Sequence, residues 1–184
     1  MRIYGNRQIR TLPGELTRPT LAKVRGAIFN IWQGKVNGCA WLDLCAGSGS
    51  MGAEALCRGA ATATGIEKNA RACRIINENW QKVAKDNQFF QLHKGDVLKR
   101  MESLGGERFD LIYFDPPYAA KFYDTVLAKV VALDLLNPDG QMAVEYDPKF
   151  WHSIDIEGLK KFKDKHYGKS AVAFYCVADY MPIE

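Results

Sequence analysis

The feature that most constrains this chain is a short apolar run that breaks into glycines and restarts as a helix. Residues 39–45 read Cys-Ala-Trp-Leu-Asp-Leu-Cys and residues 46–49 read Ala-Gly-Ser-Gly. Residues 50–58 then have the Ala, Leu and Glu content of a helix, with Gly59 suited to its end. A strand feeding a helix through a glycine turn opens a βαβ unit. The alternation continues. Strands are expected over residues 62–67, 88–93, 109–114 and 141–146, and helices over residues 69–84 and 121–136. In the first helix Ala72, Ile75, Ile76, Trp80 and Val83 recur at 3–4 residue spacing. Residues 109–114, Phe-Asp-Leu-Ile-Tyr-Phe, are nearly all apolar, as a strand buried on both faces should be. Residues 162–167 and 171–177 read as an antiparallel pair around Gly168. The expected fold is α/β: a seven-stranded, mostly parallel sheet with helices on both faces. Residues 1–38 form an appendage, a hairpin or arm over 2–10 and a helix over 21–32. Residues 39–184 form the main domain.

Composition narrows the class. A chain of 184 residues, 47% apolar and 25% charged, is expected to fold as one globular domain. No apolar run approaches the ~20 residues of a membrane helix. The first seven residues lack the apolar core of a secretory signal, so a cytoplasmic location is expected. The five cysteines, at 39, 45, 57, 73 and 176, form no C-x-x-C pair. They read as structural thiols in a reducing compartment, with no metal site. The net charge of +4 hides an asymmetry. Residues 1–35 carry Arg2, Arg7, Arg10, Arg18, Lys23, Arg25 and Lys35 against the single acid Glu15, a surplus of six. The remainder is therefore slightly acidic. A basic arm on an acidic body points to a polyanionic partner at one end.

The glycine turn carries chemistry. Gly47, Gly49 and Gly52 spell G-x-G-x-x-G, and Glu67 follows at the end of the next strand. In a Rossmann-like fold that acid reaches the ribose hydroxyls of an adenosine. NAD and S-adenosylmethionine both remain candidates on that ground. Asp43 favours the second. A carboxylate four residues before Gly47 would repel a pyrophosphate and suit a sulfonium and an amine. Asp43-x-x-x-Gly47-x-Gly49 resembles motif I of S-adenosylmethionine-dependent methyltransferases. That resemblance implies cofactor contacts from Asp43, Ala46, Gly47, Gly49 and Glu67. It also implies that Asp96, in Lys94-Gly95-Asp96-Val97, binds the adenine amino group, with the Val97 N–H on the ring.

Asp115-Pro116-Pro117-Tyr118 follows the buried run 109–114, which places it at the carboxyl edge of the sheet where α/β ligands bind. Two prolines make the loop stiff. An exocyclic base amine is a poor nucleophile because its lone pair is delocalised into the ring. Two acceptors aimed at its hydrogens, the Asp115 carboxylate and the Pro116 carbonyl, expose that lone pair for in-line attack on a methyl group. Tyr118 offers a face on which a splayed base stacks. This tetrapeptide resembles motif IV of amino-directed nucleic-acid methyltransferases.

Taken over residues 1–180, the chain resembles the RsmD type of bacterial 16S rRNA guanine-N2 methyltransferase. The resemblance rests on Arg18-Pro19-Thr20, Val24-Arg25, Ile28-Phe29-Asn30, Leu42-Asp43, Ala46-Gly47-Ser48-Gly49, Gly52, Glu54-Ala55, Ile66-Glu67 and Asp115-Pro116-Pro117-Tyr118. It implies a class I methyltransferase fold, S-adenosylmethionine as cofactor, and a monomer acting on 16S rRNA in the small ribosomal subunit. It further implies that Thr20 and Arg25 help close the cofactor and substrate site, Thr20 on the cofactor side. RNA contacts are then expected from Arg2, Arg7, Arg10, Arg18 and Arg25. No residues remain for a separate target-recognition domain, which fits a pre-folded RNA better than duplex DNA. The tetrapeptide serves guanine and adenine alike, so an N6-adenine methyltransferase stays open as the alternative. Lys160, Lys161, Lys163 and Lys165 form a second basic cluster, either an RNA contact or a solvated strand edge. Trp151, beside Phe150, is either core or a lip on the substrate side. His93, His152 and His166 have no ligand or triad spacing and receive no role.

Overall fold

The computed structural model describes residues 1–12, 19–117 and 119–179, with side chains left undescribed at 19–21. The arm begins with a two-stranded antiparallel ladder, β1 (Arg2–Ile3) and β2 (Arg7–Gln8), closed by a tight turn in which Gly5 and Asn6 take positive φ. Helix α1 (Pro19–Ile31) follows. The alternating body is β3 (Ala40–Asp43), α2 (Ser50–Cys57), β4 (Thr62–Glu67), α3 (Ala70–Val83), β5 (Phe89–Lys94), α4 (Val97–Glu102), β6 (Phe109–Phe114), α5 (Tyr123–Ala132) and β7 (Leu136–Tyr146). The hairpin β8 (Leu159–Tyr167) and β9 (Ser170–Val177) completes it, turning at Gly168 as its positive φ permits.

The seven strands of the body form one sheet in the order β5-β4-β3-β6-β7-β9-β8. The first five run parallel, and β9 inserts antiparallel between β7 and β8. The chain leaves β3 toward β4 on one side and returns to β6 on the other. That reversal opens a crevice at the carboxyl ends of β3 and β6, where Asp43 pairs in register with Tyr113.

Each face of the sheet buries its own core. Trp41, Leu111 and Tyr113 point to one face, against Val24, Ile28, Phe29 and Trp32 of α1, and Ile76 and Trp80 of α3. Leu42, Ile112 and Phe114 point to the other, against Met101 of α4 and Tyr123, Val126 and Leu127 of α5. The period of two along β3 and β6 produces this division. Helix α1 is pinned by aromatic packing of Phe29 and Trp32 on Trp41. A buried hydrogen bond from Trp32 Nε1 to Gln141 Oε1 (2.9 Å) adds direction. Ile3 and Ile9 of the arm and Val24, Ile28, Phe29 and Trp32 of α1 thus share a core with the sheet.

Element ends shift by up to three residues from sequence expectation, and three departures go beyond that. The helix expected to reach residue 136 stops at Ala132, because Asp134 takes φ 53, which an α-helix cannot accommodate. Strand β7 starts at Leu136 and not at residue 141. Asn137-Pro138-Asp139-Gly140 reads locally as a turn. It is held as strand by Phe109–Leu136 pairing across a register shift and by Asn137 Nδ2 donating to Asp110 Oδ1 (2.6 Å). Helix α4 was not anticipated. At six residues it is too short to show a period.

Candidate active site

The crevice is built on the glycine turn. Leu44 N–H donates to Tyr113 O (2.9 Å) and Ala46 N–H to Ile66 O (3.0 Å), so the turn is tied to both neighbouring strands. Gly47 and Gly49 have φ 55 and 72, a region that disfavours side chains. The Gly47 N–H donates to Glu67 Oε2 (2.9 Å) and the Asn69 N–H to Glu67 Oε1 (2.7 Å). Two backbone donors therefore orient the carboxylate at the end of β4.

The third glycine of the pattern has a packing reason. A Cβ on Gly52 would lie 2.3 Å from the Trp80 ring, and one on Gly65 2.7 Å from it. Trp80 Nε1 also donates to Gly49 O (2.7 Å). This indole, on the apolar stripe of α3, is the floor against which the turn is shaped. Asn79 beside it is buried and donates to Ser48 O (2.9 Å) and Arg10 O (2.9 Å), while accepting from Arg10 N–H (2.8 Å). The sequence reading missed both roles. The signal was there: a polar residue at position 79 inside an apolar helical stripe needs buried partners.

Asp43 is 1% exposed, and neither carboxylate oxygen has a hydrogen-bond partner. Burial pushes its pKa up to about 8, and the charge of Glu67 pushes the same way. The backbone N–H groups of Cys45 and Gly52 nearby offset part of the rise. The half-buried Cys45 thiol is raised by desolvation and then by the charges of Asp43, Asp115 and Glu67, with Lys68 acting in the opposite direction. A buried carboxylate without a partner is costly unless a cation completes it. The pocket therefore fits a cationic adenosyl group such as S-adenosylmethionine and disfavours a pyrophosphate.

Asp96 is exposed and N-caps α4, its Oδ1 accepting from Lys99 N–H at 3.3 Å. The Val97 side chain is buried, and its N–H is among the first of that helix, which lack intrahelical partners. At the end of β6, Asp115 is partly exposed and Pro116 is buried. A turn from Ala120 N–H to Pro117 O (2.7 Å) holds the loop. Beneath it, buried Tyr113 donates its hydroxyl to Glu145 Oε2 (2.7 Å), linking β6 to β7. The structure thus gathers Asp43, Ala46, Gly47, Gly49, Glu67, Asp115 and Pro116 at one edge. Tyr118, Arg18 and the side chain of Thr20 lie outside the described residues.

Arg25 requires a correction. It is 7% exposed, its Nε pairs with Glu54 Oε2, and its terminal nitrogens donate to Arg2 O (2.7 Å) and Met1 Sδ (3.2 Å). Glu54 is itself buried and also receives Arg58 (2.9 Å). A guanidinium so enclosed cannot reach an RNA phosphate; it clamps the arm and α1 to α2. Arg7 is exposed but donates to Val83 O (3.1 Å), and Arg10 pairs with Glu78. Arg2 is exposed. Of the lysine cluster, Lys161 bonds Ser153 and pairs with Asp164, whereas Lys160 and Lys165 are exposed on the edge strand.

The sheet order, with its inserted antiparallel β9 and its acidic switch point, defines a Rossmann-like class I methyltransferase fold. The chain belongs to the family described as conserved hypothetical protein 95, matched over residues 1–176. Ribosomal RNA small subunit methyltransferase D of Haemophilus influenzae is 26% identical over 176 residues, spanning 94% of this chain and 90% of the relative. A Bacillus subtilis protein named "Putative rRNA methyltransferase YlbH" is 28% identical over 171 residues, 92% of each chain. A solved structure of a conserved hypothetical protein from Streptococcus pyogenes is 35% identical with a TM-score of 0.77, covering 86% of this chain and 98% of that one.

Proposed function

We propose that this protein transfers a methyl group from S-adenosylmethionine to the exocyclic N2 amino group of one guanine in 16S rRNA. The cofactor supplies an electrophilic methyl on a sulfonium centre. Asp43, the backbone around Ala46, Gly47 and Gly49, and Glu67 would hold it, with Asp96 and the Val97 N–H toward the adenine. Asp115 and the Pro116 carbonyl accept the two amine hydrogens and orient the nucleophile, with Tyr118 as the stacking face. Thr20 belongs to the cofactor side. The N-terminal 38 residues serve as an appendage to the catalytic unit of residues 39–184, and Arg2, Arg7, Arg10 and Arg18 meet the RNA. The natural substrate is the small ribosomal subunit, partly or fully assembled, met by a monomer in the cytoplasm. Among the described residues, no helix is long and apolar enough to cross a membrane.

The observation that carries this reading is the unpartnered Asp43 carboxylate beside Glu67, next to a strand that ends in Asp115-Pro116-Pro117. Family membership supplies the rRNA substrate class through its named relatives. The test is methyl transfer from labelled S-adenosylmethionine to undermethylated 30S subunits and to duplex DNA, followed by mass mapping of the modified nucleotide. Label in an N2-methylguanine of 16S rRNA is expected. Label at N6 of adenine, or in the duplex, would replace this reading with the adenine alternative.

A further inference from the structure

Beside the reactive loop lies a cavity of about 480 Å³ whose walls include Ala119, Lys121, Tyr123, Asp124, Phe150 and Trp151. Asp43, Glu67 and Asp115 are not among its lining residues, so it is neither the cofactor cradle nor the amine-binding position. One wall is the chain just past Pro117, so it adjoins the place where a target base would sit.

The aromatic wall is rigid. The Trp151 ring stacks on Tyr123 (4.7 Å between centroids, 13° between planes) and meets Tyr146 edge-on at 5.1 Å. Its Nε1 donates to Asp124 Oδ1 (2.7 Å). The turn that carries it is closed by Phe150 and Trp151 N–H groups donating to Asp147 O and by Lys149 N–H donating to Asp147 Oδ1. Phe150 projects from this braced turn with 60% of its surface exposed; the other open phenylalanine, Phe89 at 71%, lies on the edge strand β5 and does not line this cavity. Lys121 stands exposed at the same rim.

A fixed aromatic face with a flexible cation beside it matches one ligand chemistry: an unpaired nucleobase with its phosphate. Resting on the methyltransferase reading above, we infer that Phe150, carried at the rim by the same braced turn as Trp151, stacks the nucleobase directly flanking the target guanine, with Lys121 on its phosphate. Stacking a neighbour opens the strand and holds the target base out of its own stack. The residues responsible lie outside the motifs that define the chemistry, so they set substrate choice.

The experiment compares wild type, Phe150→Ala and Phe150→Trp on undermethylated 30S subunits, with S-adenosylmethionine affinity read separately by calorimetry. Phe150→Ala is expected to lower kcat/KM for subunits about tenfold, chiefly through KM, with cofactor affinity unchanged, and Phe150→Trp to restore it. A short target-loop RNA with 2-aminopurine at each flanking position in turn reads stacking directly. Quenching by wild type at one position, lost in Phe150→Ala and regained in Phe150→Trp, is the expected result. An unchanged kcat/KM in Phe150→Ala overturns the inference, as does equal rescue by Phe150→Leu, which would make the site a generic apolar contact or a protein-docking surface. Failure of wild type to methylate subunits at all is visible without any variant and overturns the substrate reading itself.

Discussion

Two regions of this molecule handle charge in opposite ways. Where the arm and α1 meet α2 and α3, cations and anions are matched: Arg25 and Arg58 enclose Glu54, and Arg10 meets Glu78. At the switch point, Asp43 lies buried with neither oxygen paired, and the charge of Glu67 at the end of the next strand adds to the cost of ionising it. A matched network stabilises a fold in the absence of any ligand. An unmatched buried carboxylate destabilises the free protein and awaits a cation. The comparison separates residues that hold the molecule together from residues that hold something else.

The largest effect is expected on the matched side. Arg25→Ala leaves Glu54 buried against Arg58 alone and strands the backbone oxygen of Arg2. Removing one member of a buried pair costs about 3–5 kcal/mol. Urea denaturation of the purified variant measures this. A loss under about 1 kcal/mol, typical of an exposed pair, would put Arg25 back among the solvent-facing cations of the arm.

On the unmatched side, Asp115→Ala is expected to fold and to bind S-adenosylmethionine, because Asp115 is partly exposed and lies on the loop after β6, outside residues 46–49. Methyl transfer should fall by about two orders of magnitude or more, since an acceptor that orients the reacting amine is lost. Calorimetry and single-turnover transfer on one preparation separate the two. Full activity would remove Asp115 from the chemistry.

Asp43 makes the contrast dependent on pH. Its folded pKa, raised to about 8, lies above the ordinary carboxylate value. The free protein therefore holds a proton there that the unfolded chain has released, and its stability falls as pH rises toward 8. A cationic ligand prefers the ionised form, so cofactor affinity runs the other way. It should rise about tenfold between about pH 7 and about pH 9, and Asp43→Asn should flatten the profile. A flat wild-type profile would mean that Asp43 is already ionised before the cofactor arrives.

These contrasts also mark what could be read from the sequence. The strands were legible because burial on both faces makes them apolar runs, as in Phe109–Phe114. Asp43 and Glu67 were legible because their spacing from the glycines is fixed by one strand–turn–helix unit. The fate of Arg25 was not. Its partner lies 29 positions away on another helix, and only packing of α1 on the sheet brings them together. The same holds for Gly52 and Trp80, which look unrelated until α3 crosses the turn. Local patterns encode what one element does; charge pairing between elements is set by the fold, so an arm rich in arginine looked more available than it is.

Arg10 tests how much of the arm remains available. Its side chain is 71% exposed and its partner Glu78 52% exposed. An exposed pair of this kind contributes about 0–1 kcal/mol, so Arg10→Ala should change stability little. Its backbone stays clamped by Asn79 whatever side chain it carries. If the guanidinium exchanges Glu78 for a phosphate when RNA binds, Arg10→Ala should weaken RNA binding a few-fold. It should also lower the slope of log affinity against log salt by about 1. Glu78→Gln should do the reverse, tightening binding by freeing the same guanidinium. Filter binding across a salt series measures both. An unchanged slope in both variants would make the pair part of the internal seam, extend the matched region across the face of α3, and leave Arg2, Arg7 and Arg18 as the arm's remaining phosphate contacts.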